Sequence, residues 1–276
     1  MDECFGNSFI KNGELVPSSD FDSSLVYEGD SVYEVLRIVD GNPVFFSDHI
    51  ARLAGSVNYQ SRNMLASEEE IRRDLKILAS ADKAKEVNLK IVFNYNSDKV
   101  TYLAYYIKPQ YPTAEQYAKG VKGILFNAER KDPASKVINH KLRSEIYQKL
   151  ITESAYEALL VDHKNRITEG SRSNIFFLRN NTVFTAPEGL ILNGITRKYI
   201  LEICRERSVD VVQECIQADE IGQYESVFMS GTSPVVLPFS MIDNISFNVK
   251  LPVIEELRKS FKARADESVR HFLSSD

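Results

Sequence analysis

Two prolines, Pro109 and Pro112, interrupt a polar stretch near the middle of the 276-residue chain. Proline lacks a backbone N–H and ends regular elements, so this stretch separates the strand pattern before it from the one that begins near Val121. The length suffices for two ordinary domains. We therefore predict an N-terminal α/β domain at residues 1–115 and a C-terminal α+β domain at residues 116–276.

The N-terminal half has the pattern of β-hairpins followed by helices. One helix is predicted from Asp48, where apolar residues recur at helical spacing, and a second follows the capping-box pair Ser67 and Glu70. Turn residues such as Asn12-Gly13 separate the alternating apolar and polar runs. The predicted strands lie within 6–16, at 32–38, at 88–95 and at 100–107.

Helices and short strands alternate in the C-terminal half. Helices are predicted at 140–152, 196–207 and 252–272 from their apolar periodicity. Strands are predicted from near 121, at 158–161, around Ile167, at 174–179, 182–185, 209–212 and 226–230. Because both element types are present throughout, the predicted fold class is α+β with mixed α/β character.

Composition excludes several classes of function. The chain has 34 lysines and arginines against 39 aspartates and glutamates, a net charge of −5, so it lacks the positive field that gathers nucleic acid. Neither a secretory signal nor an apolar run of membrane-spanning length is evident, and we expect a cytoplasmic protein that contacts no membrane. The three cysteines and four histidines lack metal-ligand spacing, and we read the histidines as isolated surface or helix-end residues, with no metal site.

Three turns in the second half combine small and polar residues. Residues 168–174 place Glu169 after a strand, residues 193–197 precede a predicted helix, and residues 230–234 follow a strand. Backbone N–H groups and hydroxyls in such turns can hold a phosphate. Ordinary helix capping and turn formation use the same residue types, so each turn alone is ambiguous.

Taken together and in order, several segments resemble the fold-type IV pyridoxal-phosphate enzymes, which comprise branched-chain and D-amino-acid aminotransferases and aminodeoxychorismate lyase. The resemblance covers most of the chain. It is carried by Tyr27–Val35, His49–Leu53, Lys136–Asn139, Thr168–Gly170 with Asn174, Gly194–Arg197, and Gly231-Thr232. It implies a two-domain architecture like that of D-amino-acid aminotransferase, with the active site at the domain junction, and a homodimer.

The resemblance also implies a cofactor, pyridoxal 5'-phosphate, and roles for individual residues. Lys136, in the segment Lys-x-x-Asn, would be the catalytic lysine that forms the Schiff base, and Glu169 would hold the pyridine nitrogen protonated. By the same resemblance, the phosphate would be bound by Arg52, the amides of Ile195 and Thr196, and Thr232. Read without the resemblance, Lys136 and Arg52 are ordinary surface residues.

The sequence departs from the family pattern in the residues that would bind the substrate carboxylate. D-amino-acid enzymes carry an arginine on the strand corresponding to residues 91–96, where this chain has none. The remaining candidates for substrate contact are Tyr33, Arg37 and Arg172. Because Tyr33, Val35 and Arg37 alternate on one predicted strand face, with Glu34 on the other, packing is an equally good explanation for the first two.

The resemblance implies an aminotransferase that moves an amino group between an amino acid, branched-chain or related, and a 2-oxo acid. The alternative within the family is aminodeoxychorismate lyase, which releases pyruvate and 4-aminobenzoate. A third hypothesis is a non-catalytic binding protein that keeps the fold. Retention of the lysine, glutamate and arginine together argues against that third hypothesis, because binding alone requires no such set.

Overall fold

The computed structural model describes residues 3–96 and 99–274, and the chain divides into two compact units. The first unit consists of residues 3–110, apart from 97 and 98, together with residues 135–138 and 264–274. The second consists of residues 111–134 and 139–263. Each unit has its own sheets and its own core, which agrees with the mixed α/β class predicted from the sequence.

A six-stranded sheet forms the first unit, in the order β2-β1-β6-β5-β3-β4. Every pairing in that order is antiparallel. Its strands are β1 (Ser8–Lys11), β2 (Glu14–Pro17), β3 (Asp30–Val39), β4 (Asn42–Pro43), β5 (Glu86–Asn96) and β6 (Lys99–Ile107), and its helices are α1 (Ser24–Tyr27), α2 (Phe46–Tyr59) and α3 (Glu68–Asp82).

Helices α2 and α3 bury the apolar faces that their spacing predicts. Leu53 on α2 and Leu78 on α3 are fully buried in one core cluster with the sheet. Each such side chain contributes roughly 1.5–3 kcal/mol relative to exposure. The predicted capping box is present, because Ser67 Oγ accepts from the amide of Glu70 and the Glu70 carboxylate accepts from the amide of Ser67. These caps and faces fix the two helices against the sheet that carries β3.

Strand β3 alternates between a buried face and a half-buried face. Val32, Glu34 and Leu36 are buried, whereas Tyr33 and Arg37 on the opposite face are partly exposed. The alternation follows from the two-residue period of a strand. The carboxylate of Glu34 is therefore buried among apolar neighbours, where it requires charged or hydrogen-bonding partners.

The second unit contains a ten-stranded sheet of mixed pairing, in which nine strands follow the order β12-β11-β10-β14-β15-β7-β8-β9-β13 and the tenth, β16, pairs with β15. Its strands are β7 (Val121–Asn127), β8 (Glu157–Val161), β9 (Arg166–Gly170), β10 (Asn174–Arg179), β11 (Thr182–Thr185), β12 (Asp210–Gln213), β13 (Ile216–Gln217), β14 (Ser226–Gly231), β15 (Val235–Ile242) and β16 (Ile245–Ser246). Its helices are α4 (Ala114–Lys119), α5 (His140–Glu153) and α6 (Ile195–Glu206). The long helix α7 (Pro252–Ser274) begins in this unit and ends in the first.

The sequence analysis did not predict the short elements α1, β13 and β16, nor two longer ones, β15 and α4. Pro238 lies in the middle of β15, where it is paired with Phe228 of β14, and the pairing of β15 with β7 begins one residue later, at Phe239. Helix α4 lies inside the stretch read as a polar junction. Thr113 and Gln116 form a capping box there, which starts a helix despite the neighbouring prolines.

Candidate active site

The short segment at residues 135–138 belongs to the first unit and is bound to β3 by backbone hydrogen bonds. Val137 forms an antiparallel bridge with Val32, and the amide of Tyr33 donates to the carbonyl of Lys136 at 3.1 Å. Helix α2 holds the same segment from another side, because the amide of Lys136 donates to Ser56 Oγ at 3.2 Å. Lys136 is thus fixed beside β3 although it lies about a hundred residues away in the sequence.

Glu34 joins three basic side chains in the interior of the first unit. Its Oε1 accepts from Lys136 Nζ at 3.0 Å and from Arg52 Nη2 at 2.6 Å, and its Oε2 accepts from Arg52 Nε at 2.8 Å. His49 Nδ1 lies 3.3 Å from Oε1. We call these four residues, Glu34, His49, Arg52 and Lys136, the lysine cluster. It brings together two of the predicted cofactor residues, Lys136 and Arg52.

Burial and charge act in opposite directions on the lysine cluster. Burial tends to raise the pKa of Glu34, but the charges of Arg52 and Lys136 outweigh it and hold that pKa well below the usual range. Burial lowers the pKa of Lys136, and the charge of Glu34 opposes this effect only in part. The pKa of His49 is also lowered, chiefly by burial. The cluster is therefore an ionised carboxylate beside a lysine that gives up its proton more easily than an exposed one.

Tyr33 lies next to the lysine cluster and next to a second buried ammonium group. Lys136 Nζ is 5.3 Å from the centre of the Tyr33 ring, and Lys90 Nζ is 5.4 Å from the same centre. Lys90 is only 4% exposed and forms an ion pair with Glu3, whose carboxylate also accepts from the Tyr27 hydroxyl. A carboxylate is thus already bound by Lys90 on the face of the sheet that carries Tyr33.

Glu169 is the last residue but one of strand β9 in the second unit, and its carboxylate is buried with two partners. Its Oε1 accepts from Arg130 Nη1 at 3.2 Å, and its Oε2 accepts from the amide of Leu192 at 3.1 Å. Burial raises the pKa of Glu169, and the charge of Arg130 offsets this rise only partly. A further positive group at Glu169, such as a protonated pyridine nitrogen, would stabilise its ionised form.

The turn after Glu169 is held by a second buried carboxylate. Glu157 Oε2 accepts from Ser173 Oγ at 2.9 Å, and its Oε1 accepts from the amide of Ser171 at 3.1 Å. The turn then leads to Asn174, whose side-chain amide donates to the carbonyl of Leu192 at 2.8 Å. These bonds connect the predicted turn at 168–174 to the segment that precedes α6.

Helix α6 begins without a side-chain cap because its N-cap residue is Gly194. Ile195 and Thr196 are its first residues, and the first N–H groups of a helix have no acceptor within the helix. Thr232 lies in the turn between β14 and β15. Two residues earlier in the chain, Ser230 Oγ is buried and has no hydrogen-bond partner among the described residues. The second unit therefore supplies the amide and hydroxyl donors that suit an anion.

The two predicted substrate arginines have protein partners in this structure. Arg37 forms an ion pair with Glu86 of β5, and Arg172 Nη2 donates to the carbonyl of Tyr156 at 3.1 Å. Arg37 shares the half-buried face of β3 with Tyr33, as its spacing predicts, but lies four residues further along the strand. Their contact with a substrate remains a prediction.

Sequence reasoning missed several residues of these clusters. The interpretation of the histidines as isolated surface or helix-end residues is wrong for His49, which is buried beside Glu34. The helical spacing from Asp48 to Val57 places His49 near Leu53 and Arg52, and this was the available signal. Glu34 was assigned correctly to the face opposite Tyr33, but nothing local identified its partners. Lys90 and Arg130 belong to no sequence motif, and only the structure shows their contacts with Tyr33 and Glu169.

The described residues form neither a metal site nor a membrane-spanning helix. Among residues 3–96 and 99–274, no group of three or more histidine, cysteine or acidic side chains is arranged to hold a metal ion. In the same part of the chain, no helix combines the length and apolar character needed to span a bilayer.

The residues present fit pyridoxal phosphate by their chemistry. Its aldehyde requires a lysine amine of lowered pKa, its phosphate requires a guanidinium or uncapped amides, and its pyridine nitrogen requires a buried carboxylate. Lys136, Arg52, the start of α6 and Glu169 are groups of these kinds. Ser230 Oγ, for which the described part of the chain offers no hydrogen-bond partner, is one more donor at the end of β14, which leads into the predicted phosphate turn.

The chain belongs to the amino-transferase class IV family, whose model matches residues 31–242. Members of this family are pyridoxal-phosphate-dependent enzymes. The match begins in β3 and ends with β15, so it includes both Lys136 and Glu169 with the partners described above.

Individual relatives show what the chain is similar to. It is 29% identical to the D-alanine aminotransferase of Bacillus licheniformis over 247 residues, which cover 84% of this chain and 87% of that protein. It is 25% identical to the branched-chain-amino-acid aminotransferase of Pseudomonas aeruginosa over 279 residues, covering 91% and 90%. A branched-chain amino acid aminotransferase solved with pyridoxamine 5'-phosphate superposes with a TM-score of 0.85 at 22% identity and covers 95% of each chain. That superposition confirms the predicted fold.

Proposed function

We propose that this class IV aminotransferase moves the amino group of an amino acid with an apolar side chain to a 2-oxo acid, with Lys136 as its catalytic lysine. The observation that carries the proposal is the lysine cluster, in which a largely but not fully buried lysine of lowered pKa lies 3.0 Å from a carboxylate that also binds Arg52. The names of the two relatives, D-alanine and branched-chain-amino-acid aminotransferase, support an apolar substrate.

When it is bound, pyridoxal phosphate supplies an electron sink for the bond broken at the substrate Cα. Lys136 would hold the cofactor and then carry the proton at Nζ, for which a lowered pKa is an advantage. Arg52, the amides of Ile195 and Thr196, and Thr232 would bind the phosphate. Glu169 would keep the pyridine nitrogen protonated, and Arg130 would keep Glu169 ionised.

Lys90 is the cation that we propose for the substrate carboxylate. It is buried, it lies beside the Tyr33 ring, and it forms an ion pair with the carboxylate of Glu3. Amino acids and 2-oxo acids share a carboxylate, so one ammonium group serves both halves of the transfer. Tyr33, Arg37 and Arg172 remain candidates for further substrate contacts.

Visible absorption of the purified protein tests this function. The protein is loaded with pyridoxal phosphate and titrated with L- and D-amino acids that have apolar, acidic and basic side chains. We expect an absorption band of the lysine-bound cofactor, and its conversion to the pyridoxamine form by an apolar amino acid. A band that no amino acid converts would contradict an aminotransferase and direct the next titration to aminodeoxychorismate, the substrate of the lyase alternative.

We also propose that the enzyme is a cytoplasmic homodimer, as the resemblance to fold-type IV enzymes implies. Light scattering of the loaded protein should give twice the chain mass of 31.4 kDa. A single-chain mass over the working concentration range would contradict the dimer and leave the assignment of Lys136 untouched.

A further inference from the structure

Glu34 uses both oxygens of a fully buried carboxylate to bind two residues with different proposed tasks. We infer that Glu34 is a positioning residue of the reaction, which orients Arg52 for the cofactor phosphate and stabilises Lys136 as an ammonium group when its amine is free. The inference rests on the proposed function, because it assumes that Lys136 and Arg52 meet the cofactor.

The contact with Arg52 fixes the plane of a guanidinium group. Nε donates to Oε2 at 2.8 Å and Nη2 donates to Oε1 at 2.6 Å, so two parallel bonds determine the orientation of the group. A bidentate arginine–carboxylate pair is geometrically specific as well as strong. Without Glu34, the Arg52 side chain would keep its charge but lose this orientation.

The contact with Lys136 determines where a proton is held. Lys136 Nζ lies 3.0 Å from Glu34 Oε1, and the charged or titratable groups around it are Glu34, Arg52, His49 and the Tyr33 hydroxyl. Glu34 favours the protonated amine, whereas burial and Arg52 disfavour it. Removal of the Glu34 charge should therefore lower the pH at which Lys136 becomes a neutral nucleophile.

Two aldehyde probes separate the two tasks. Pyridoxal phosphate reports on Arg52 and Lys136 together, whereas pyridoxal, which lacks the phosphate, reports on Lys136 alone. We compare the parent protein with Glu34→Gln, and with Asp30→Asn as a matched control, because Asp30 is an exposed carboxylate on the same strand. Binding is measured from absorption at a pH where Lys136 reacts fully, and the pH midpoint of the reaction with pyridoxal is measured separately.

We expect Glu34→Gln to weaken the binding of pyridoxal phosphate by about tenfold or more, equivalent to ~1.4 kcal/mol, and to change the binding of pyridoxal little. The pH midpoint with pyridoxal should move down, and Asp30→Asn should behave as the parent protein. Equal weakening of both aldehydes with an unchanged midpoint would overturn the inference, since a structural role alone does not separate the probes. If the parent protein itself fails to react at Lys136, the proposed function is wrong instead.

A second pair of variants covers the case in which Glu34→Gln does not fold. Arg52→Gln is compared with the double variant Arg52→Gln/Glu34→Gln, which leaves no unpaired charge of this pair in the interior. The double variant should show a lower pH midpoint than Arg52→Gln. Its discrimination between the aldehydes, the ratio of its affinities for pyridoxal phosphate and pyridoxal, should be the same as that of Arg52→Gln. An unchanged midpoint, or a further loss of discrimination, would overturn the corresponding half of the inference.

Discussion

The side-chain amide of Asn174 donates to the main-chain carbonyl of Leu192 at 2.8 Å, and this bond connects the start of β10 to the segment before α6. Gly194 follows closely, and a Cβ at this position would lie 2.1 Å from Asn174 Oδ1. A side chain at residue 194 must therefore displace Asn174 or the beginning of the helix.

Gly194→Ala should weaken the binding of pyridoxal phosphate by roughly tenfold, because the amides of Ile195 and Thr196 shift from the phosphate. The binding of pyridoxal should not change. The control is Gly189→Ala, because a Cβ at residue 189 meets no atom within 4 Å. Equal affinity of Gly194→Ala and Gly189→Ala for pyridoxal phosphate would show that the start of α6 does not bind the phosphate.

Glu169→Gln should retain the cofactor but lower kcat for transamination by about tenfold or more. A neutral amide cannot hold the pyridine nitrogen protonated, whereas the carboxylate beside Arg130 can. Stopped-flow absorption of the first half-reaction measures the effect. The control is Glu220→Gln, which replaces an exposed glutamate. A parental rate in Glu169→Gln would show that this carboxylate has another role.

Two opposite changes test the proposed carboxylate site. Lys90→Met should raise KM for the 2-oxo acid by roughly tenfold, because it removes the ammonium group, whereas Glu3→Gln should lower KM, because it removes a competing carboxylate. The exposed Lys85, changed to Met, is the control. If Lys90→Met leaves KM unchanged, the substrate carboxylate binds elsewhere, and Arg37 and Arg172 are the next residues to replace.

His49 should make stability depend on pH in the weakly acidic range. Its pKa is lowered in the folded state from an ordinary value of 6.5, chiefly by burial, so the unfolded chain binds more protons below that pH. The free energy of unfolding should therefore fall as the pH decreases below about 6.5, by at most about 1.4 kcal/mol per pH unit. Glu34 adds a loss only at lower pH, since its ordinary value is 4.5.

Urea unfolding at a series of pH values measures this dependence. His49→Gln should flatten the slope between about pH 6.5 and pH 5, whereas His163→Gln, which replaces an exposed histidine, should not. Parallel slopes for His49→Gln and the parent protein would assign the acid sensitivity to other groups.

Local pattern predicted much of the fold because many elements are decided by their own residues. The capping box at Ser67 and the apolar spacing from Ile50 to Val57 each determine a helix without reference to distant residues. Strand β15 was not predicted, and its Pro238 is unfavourable within a strand, but pairing with both β14 and β7 establishes the strand in the structure. Tertiary pairing overrode propensity there.

The partners within the candidate site could not be predicted in the same way. Order and spacing identified Lys136 and Glu169 as members of a family pattern, but Lys136 meets Glu34 only because residues 135–138 return to β3. Lys90 and Arg130 belong to no local motif, and their significance depends on burial and on contacts far apart in the sequence. Long-range pairing, rather than residue type, makes these two residues candidates for a functional role.

The central claim is that Lys136 forms the covalent bond to the cofactor. The protein loaded with pyridoxal phosphate is reduced with borohydride and digested, and the labelled peptide is identified by mass spectrometry, in parallel with Lys136→Ala and the exposed control Lys141→Ala. We predict label on Lys136 in the parent protein and in Lys141→Ala, and no label in a folded Lys136→Ala. Label on another lysine, or retention of label in Lys136→Ala, would contradict the account.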